Sequence, residues 1–198
     1  MSEPLLSIRH LTVRLGKGSD APQILDNVSL DIQKGETVGL VGESGSGKST
    51  LGMSIMRLAA PELDHHTSGE IIYDGQDIRA MKDRDLHQMR GNEISMILQD
   101  PMASLNPVFS IGDQLKEALR RRKDVADLQA DAENALAEVK IPSPAQRLRN
   151  YPHKMSGGMR QRIVGAIAIA QQPKLLICDE PTTSLDVTIQ YQFLDLLS

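Results

Sequence analysis

The residues with the clearest chemical pattern form a glycine-rich loop from Gly42 to Ser49. The loop reads Gly-Glu-Ser-Gly-Ser-Gly-Lys-Ser and follows an apolar run, Thr37 to Val41, which we interpret as a strand. Glycines can adopt positive φ, so successive backbone N–H groups can converge on one anion. A helix start directly after the loop adds to this positive field. The pattern therefore predicts a site for the phosphates of a nucleotide.

Two side chains of this loop have expected roles of their own. Lys48 is expected to bridge the β- and γ-phosphates of ATP, and the Ser49 hydroxyl is expected to bind Mg²⁺. A glycine-rich turn without a ligand is the alternative, which the predicted strand and helix on either side disfavour. The nucleotide-binding residues predicted here are Gly42, Glu43, Ser44, Gly45, Ser46, Gly47, Lys48, Ser49 and Thr50.

A pair of carboxylates follows a second apolar run near the end of the sequence. Leu175 to Cys178 are all apolar, and Asp179 and Glu180 come directly after them. Such a run is typical of the centre of a parallel sheet, whose carboxyl edge is where open α/β sheets bind ligands. We expect Asp179 to hold Mg²⁺ through water and Glu180 to polarise the attacking water as general base. A purely structural acidic pair is the alternative, which the phosphate loop upstream disfavours.

Hydrophobic periodicity and turn residues predict a mixed α/β chain around these sites. An Asp74-Gly75 pair between two short apolar runs is a strong hairpin signal. The predicted strands are Leu5 to Val13, Ile24 to Ile32, Glu70 to Tyr73, Gln76 to Ile78 and Ile94 to Leu98. The predicted helices run from the phosphate loop to about Leu58, from Asp83 to Met89, over Ile111 to Val139, and from Ser156 to about Gln171.

Composition limits the possible classes of protein. The chain has 198 residues, a net charge of −4 and one cysteine, Cys178, which we interpret as a small buried apolar residue. A phosphate backbone attracts a concentrated basic face, so nucleic acid is not an expected partner. The apolar runs are shorter than the roughly 20 residues that span a bilayer, and the N-terminus has no secretory pattern. We therefore expect a cytosolic protein whose membrane role, if any, goes through a partner.

Three further segments resemble motifs of ATP-binding-cassette proteins. Ser156-Gly157-Gly158-Met159-Arg160-Gln161-Arg162 resembles the signature motif, Gln99 stands where the Q-loop begins, and Ser184-Leu185-Asp186 resembles the D-loop. By its residue types alone, Ser156 is a good helix N-cap and the two glycines leave N–H groups accessible to an anion. An ordinary capped helix is the alternative. The combination of motifs identifies the family.

This resemblance implies a fold and a dimeric site. The fold is a P-loop NTPase (RecA-like) α/β core with an N-terminal antiparallel β subdomain and an inserted α-helical subdomain. We expect one domain over 1–198, with 1–100 and 160–198 forming the core and 101–159 the helical insert. Cassettes pair head to tail, so Ser156, Gly157 and Gly158 are expected to contact the γ-phosphate held by the partner chain. Gln99 is expected to bind Mg²⁺, to sense that phosphate and to signal to membrane subunits.

Finer detail resembles the ATP-binding subunits of bacterial dipeptide, oligopeptide and nickel importers. The matching segments are Gln99 to Pro107, Tyr151 to His153 and Asp179 to Gln190. The resemblance implies a second ATP-binding subunit, identical or different, two transmembrane permease subunits and, indirectly, a periplasmic solute-binding protein. The chain would lie at the cytoplasmic face of the inner membrane. Asp100 to Pro107 is the expected permease contact, and a proline-punctuated turn is the alternative.

The sequence also departs from the family pattern. Leu15 stands where an aromatic residue is expected to stack on adenine, and Met155 replaces a leucine before Ser156. Family members carry a switch histidine after the D-loop, whereas this sequence ends at Ser198 and its last histidine is His153. We therefore expect either a truncated importer ATPase or a nucleotide-binding remnant that dimerises without hydrolysing ATP. A soluble cassette in DNA repair or translation is disfavoured. Surface or loop roles are expected for His10, His65, His66, His87 and His153.

Overall fold

The chain divides into two units, Met1–Gln88 and Met89–Ser198. The structure is a computed structural model, and it describes residues 3–16, 21–59, 67–122, 124–182 and 186–197. In these ranges no helix is both long enough and apolar enough to cross a membrane.

The first unit contains an antiparallel sheet with the strand order β2-β1-β3-β4. Its strands are β1 (Leu6–Arg14), β2 (Gln23–Ile32), β3 (Thr67–Tyr73) and β4 (Gln76–Asp77). Ile8 of the central strand β1 pairs with Leu30 on one side and with Ile71 on the other. Leu6, Ile8, Leu11 and Val13 of β1 are fully buried, with a register shift between Ile8 and Leu11, and their burial removes apolar surface from water. Of the strands predicted for this sheet, Leu5 to Val13, Ile24 to Ile32 and Glu70 to Tyr73 are confirmed, whereas in Gln76 to Ile78 the strand covers Gln76–Asp77 and Ile78 begins a 3-10 helix.

The turn between β3 and β4 has the geometry that its sequence predicts. Asp74 and Gly75 have φ values of 45° and 77°. Two central residues with positive φ match the twist of a two-residue hairpin, and asparagine, aspartate and glycine tolerate this conformation best. Asp74 and Gly75 therefore close the predicted hairpin.

The apolar run before the phosphate loop differs from its prediction. Thr37 to Val41 form no strand, and the Val41 side chain is 95% exposed. A strand requires a neighbour for its backbone N–H and C=O groups, and none of the strands in the described ranges pairs with this run. The strand prediction for Thr37 to Val41 was wrong in this structure, because the sequence pattern does not reveal whether a partner strand is present.

The described part of the first unit also contains two α-helices. Lys48–Ile55 follows the phosphate loop, and Asp83–Met89 follows a short 3-10 helix at Ile78–Ala80. The first of them ends three residues before the predicted Leu58, because Arg57 adopts a left-handed conformation with φ 46°. The helix at Asp83–Met89 confirms its prediction and runs to the boundary of the second unit.

The described part of the second unit contains two parallel strands, β5 (Ile94–Ile97) and β6 (Leu175–Cys178). Ile94 lies opposite Leu175, and Ile97 lies opposite Cys178. The helices are Pro101–Ser104, Ile111–Leu119, Leu128–Glu138, Pro144–Arg147, Gly157–Ile169 and Val187–Leu197, and a 3-10 helix spans Pro152–Lys154. Residue Cys178, at the end of β6, is exposed, so its interpretation as a buried residue was wrong. Among the described strands β6 pairs with β5 alone, which leaves its end uncovered.

The core of this unit forms where several helices meet. The predicted helical segment Ile111 to Val139 is two helices, because Asp127 caps a new helix by accepting hydrogen bonds from the N–H groups of Gln129 and Ala130. Each of the two helices has an apolar face, since buried residues of both pack with the helix Gly157–Ile169. These core residues are Ile111, Leu115, Leu119, Ala132, Leu136, Val139 and Ile163.

Candidate nucleotide-binding site

The phosphate loop of the first unit is built around a glycine that no other residue could replace. Gly47 is the N-cap of the helix Lys48–Ile55 and has φ 93°. A Cβ atom there would lie 2.7 Å from Leu25 Cδ2 and 2.8 Å from the Ile24 carbonyl oxygen. The backbone conformation and the close approach to β2 thus both require glycine.

Lys48 places its ammonium group against the loop itself. Its Nζ donates hydrogen bonds to the carbonyl oxygens of Gly42 and Glu43, at 2.8 and 2.7 Å. The first turn of this described helix has no acidic side chain, so the helix N-terminus and the ammonium share one positive field. Ser49 and Thr50 stand in the same turn. The loop therefore has the donors and the charge that a nucleotide's phosphates require.

The signature motif of the second unit starts a helix as predicted. Ser156 adopts an extended conformation, and its Oγ accepts a hydrogen bond from the Met159 N–H at 3.3 Å. A Cβ atom on Gly157 would meet nothing within 4 Å. The N-terminus of the helix Gly157–Ile169, hereafter the signature helix, is therefore open on the Gly157 side.

The ends of β5 and β6 bring the Q-loop glutamine and the second carboxylate together. The Gln99 Nε2 donates a hydrogen bond to the Glu180 Oε2 at 2.9 Å. The Asp179 N–H donates to the Ile97 carbonyl at 2.9 Å, which extends the pairing of the two strands to the acidic pair. Parallel strands end at the same edge of a sheet, and this explains how residues 81 positions apart in sequence meet.

Sequence reasoning assigned no role to Gln161, which the structure places in the same cluster. This side chain is 1% exposed, and its Nε2 lies 3.5 Å from the Glu180 carbonyl oxygen as a donor. A signal was present, because Gln161 is a polar residue on the face of the signature helix that also carries the buried Val164, Gly165 and Ala168. A buried amide needs a hydrogen-bond partner, and the sequence does not reveal which one.

Of the predicted D-loop, residues Ser184 and Leu185 lie outside the described ranges. Asp186 Oδ1 accepts a hydrogen bond from the Ile189 N–H at 3.1 Å, at the start of the helix Val187–Leu197.

The expected stacking position, Leu15, is 53% exposed, and Met155 is buried in the helical core.

The structure describes His10, His87 and His153, and all three are exposed. The His10 Nδ1 lies 2.8 Å from the Asn27 Oδ1, and the His153 ring stacks on Tyr151 with 5.8 Å between ring centroids. His87 lies in the helix Asp83–Met89. His65 and His66 lie outside the described ranges.

Comparisons with known proteins agree with these motifs. The fold is that of a P-loop NTPase, and solved ATP-binding cassettes resemble it over nearly the whole chain. The dimeric ATP-binding cassette MJ0796, solved in a post-hydrolysis state bound to ADP and Pi, has a TM-score of 0.84 and 27% identity. The similarity covers 97% of this chain and 81% of that one. The family model described as "ABC transporter" matches residues 25–183, and the chain therefore belongs to the ABC transporter family.

Curated relatives are more similar in sequence. The dipeptide transport ATP-binding protein DppD of Bacillus subtilis is 47% identical over 98% of this chain, and the oligopeptide transport ATP-binding protein OppD of the same organism is 43% identical over 98%. The peptidoglycan transport ATP-binding protein YejF of Agrobacterium fabrum is 46% identical over 99%. The chain spans 58%, 54% and 36% of the lengths of these three relatives, respectively.

Proposed function

We propose that this chain is the ATP-binding, energy-coupling subunit of a bacterial importer for dipeptides or oligopeptides. The observation that supports nucleotide binding is the structure of the loop around Gly47 and Lys48. The loop carries the positive charge of Lys48 and has no space for a side chain at position 47. The names of the relatives at 43% to 47% identity support peptides as the cargo.

The residues of the loop fit ATP. Backbone N–H groups of Gly42 to Thr50 and the Lys48 ammonium bind the phosphates, and this requires Lys48 to exchange its two carbonyl contacts for phosphate oxygens. Oxygen donors from Ser49, Gln99 and Asp179 suit Mg²⁺, which prefers oxygen ligands and retains water. Bound Mg²⁺ would neutralise charge that develops on the phosphates.

Glu180 is the proposed general base for hydrolysis. Its carboxylate accepts the proton of the attacking water, while the Gln99 amide holds the carboxylate in one orientation. Ser156, Gly157 and Gly158 donate N–H and hydroxyl groups to the γ-phosphate of a nucleotide held by the partner chain. This role is consistent with the open N-terminus of the signature helix.

The proposed assembly has two ATP-binding subunits and two permease subunits at the cytoplasmic face of the inner membrane. A periplasmic solute-binding protein acts on it indirectly.

The proposed domain is a single cassette, with 1–100 and 160–198 as the core and 101–159 as the helical insert. The segment Asp100 to Pro107 is the proposed permease contact, and Gln114 braces its end by bonding to both the N–H and the C=O of Asn106.

Two substitutions test the proposed hydrolysis. Lys48→Ala should abolish ATP binding, because the loop loses its mobile positive charge. Glu180→Gln should retain ATP binding and lower the hydrolysis rate at least about 100-fold, as expected for loss of a general base. Binding is measured by titration calorimetry and turnover by phosphate release.

Phosphate release by the wild-type chain distinguishes an importer ATPase from a nucleotide-binding remnant that dimerises without hydrolysing ATP. Phosphate release by the wild type, but not by Glu180→Gln, supports the importer ATPase. Tight ATP binding by a wild type that releases no phosphate would support the non-hydrolysing partner instead. Normal turnover of Glu180→Gln would exclude Glu180 as the base.

A further inference from the structure

The backbone at Glu180 is in an unfavourable conformation. Its φ is 48°, in the left-handed region that residues other than glycine, asparagine and aspartate rarely adopt. The next residue is Pro181, and a residue before proline is further restricted toward extended conformations. Such a conformation persists where surrounding contacts enforce it, and these positions concentrate at functional sites.

Two glutamines contact Glu180, one at its side chain and the other at its backbone carbonyl. Gln99 donates to the carboxylate at 2.9 Å and so orients the side chain. Gln161 donates to the backbone carbonyl at 3.5 Å and so contacts the strained peptide itself. The first contact comes from the end of β5 and the second from the signature helix, so the position of Glu180 depends on both elements.

Burial makes the contact of Gln161 specific. The Gln161 side chain is 1% exposed, and burying an amide without a hydrogen bond costs free energy. The arrangement in which the Glu180 carbonyl faces this amide is therefore the more stable one. The next residue, Arg162, ties the helix to the segment that follows the helix Leu128–Glu138. Its Nη1 donates to the Lys140 carbonyl at 2.6 Å and to the Val139 carbonyl at 3.2 Å.

We propose that Gln161 is a positioning residue that holds the backbone of Glu180 in its left-handed conformation and thereby aims the general base. This proposal rests on the proposed function. Gln161 lies five residues after Ser156, about 7.5 Å along the same helix. The signature helix therefore connects the residue that would contact the partner's nucleotide to the general base of its own chain.

Gln161→Met tests the proposal, because methionine has a similar length and flexibility but no N–H to donate. We expect kcat for ATP to fall about tenfold with KM unchanged, since the base is misplaced while nucleotide binding is not affected. The matched control is Ile163→Val, which removes one methyl group from a fully buried site on the same helix. It should leave kcat within about twofold.

A second measurement does not depend on hydrolysis. Hydrogen exchange of a peptide covering Asp179 to Thr182 should be at least about threefold faster in Gln161→Met than in the wild type, because the local structure opens more easily. Ile163→Val should not show this local change. Should Gln161→Met fail to fold, Gln161→Leu replaces it, since leucine fits within the volume of glutamine and has no polar hydrogen to donate.

The outcomes separate this proposal from the proposed function. A wild type that releases no phosphate contradicts the hydrolytic function, and the exchange measurement still decides the role of Gln161. Unchanged exchange at 179–182 together with unchanged kcat would overturn the proposal. A fall in kcat and a rise in exchange that Ile163→Val reproduces would show that Gln161 contributes packing alone, and would overturn it equally.

Discussion

At the scale of single residues, the phosphate loop depends on the small size of one residue and the positive charge of another. Gly47 is required by a Cβ-sized space that Leu25 and Ile24 already fill, and Lys48 is held at the loop by two carbonyls. Both positions were predicted from the spacing of the loop. Gln161 lies in the signature motif, but the sequence predicts no role for it, because its partner Glu180 is 19 residues away and the two meet through tertiary packing.

Cys178 shows how a residue's surroundings alter its chemistry. The side chain is exposed at the end of β6, yet desolvation by neighbouring protein atoms raises the pKa of the thiol to about 11. The thiol is therefore protonated near neutral pH, and it is a weak nucleophile because thiolate is the reactive form.

Leu15 carries a prediction about base selectivity. Without an aromatic ring to stack on adenine, we expect GTP to compete with ATP, with affinities within about tenfold, since stacking contributes roughly 0.5–1.5 kcal/mol. Leu15→Tyr should strengthen ATP binding about three- to tenfold. Leu58→Tyr, at another exposed leucine of the first unit, is the control and should change nothing. A strong preference of the wild type for ATP, measured by competition with a fluorescent ATP analogue, would contradict this prediction.

At the scale of elements, the signature helix depends on close packing against the helix Val187–Leu197. Phe193 of the second helix is 2% exposed, and a Cβ atom on Gly165 would lie 2.3 Å from its Cζ. Glycine at position 165 therefore lets the aromatic ring approach the signature helix backbone.

Gly165→Ala should destabilise the protein by about 1–3 kcal/mol, the usual effect of overpacking, although alanine is the better helix former. Thermal unfolding measures the effect. Gly157→Ala is the control in the same helix, because its Cβ would enter open space, and it should leave the melting temperature unchanged. An unchanged melting temperature of Gly165→Ala would show that Phe193 moves away without cost.

The segment Asp100 to Pro107 carries a prediction about coupling. Replacing both Asn106 and Pro107 by alanine should uncouple transport while nucleotide binding is retained. The backbone N–H and C=O of residue 106 can keep their bonds to Gln114, and the loss is confined to the Asn106 side chain, which accepts from the Val108 N–H at 3.1 Å, and to the proline.

Peptide uptake into vesicles with the matching permease measures that coupling. The control replaces Ser143 and Pro144, another proline-opened turn, by alanine and should leave uptake unchanged. A parallel loss of transport and ATP binding would assign Asn106 and Pro107 to folding instead of to the permease contact.

At the scale of the whole molecule, the proposed site is complete when two chains pair. Glu180→Gln should be monomeric without nucleotide and should form a dimer of twice the 21.7 kDa chain mass with ATP and Mg²⁺, because bound ATP is not consumed. Light scattering after size exclusion measures the mass. The double variant with Lys48→Ala should remain monomeric, and a dimer that forms without nucleotide would contradict the nucleotide-linked interface.

The sequence determined the local features of this protein, because turn, cap and phosphate-loop patterns are short and depend on intrinsic backbone preferences. The Asp74-Gly75 turn, the Ser156 cap and the apolar faces of the helices at 111–138 are examples. Tertiary structure decided whether an apolar run finds a partner strand, and so Thr37 to Val41 remains exposed and Cys178 is uncovered. It also decided which distant residues meet, as Gln99 and Gln161 do at Glu180, because such contacts depend on how strands and helices pack and not on any local pattern.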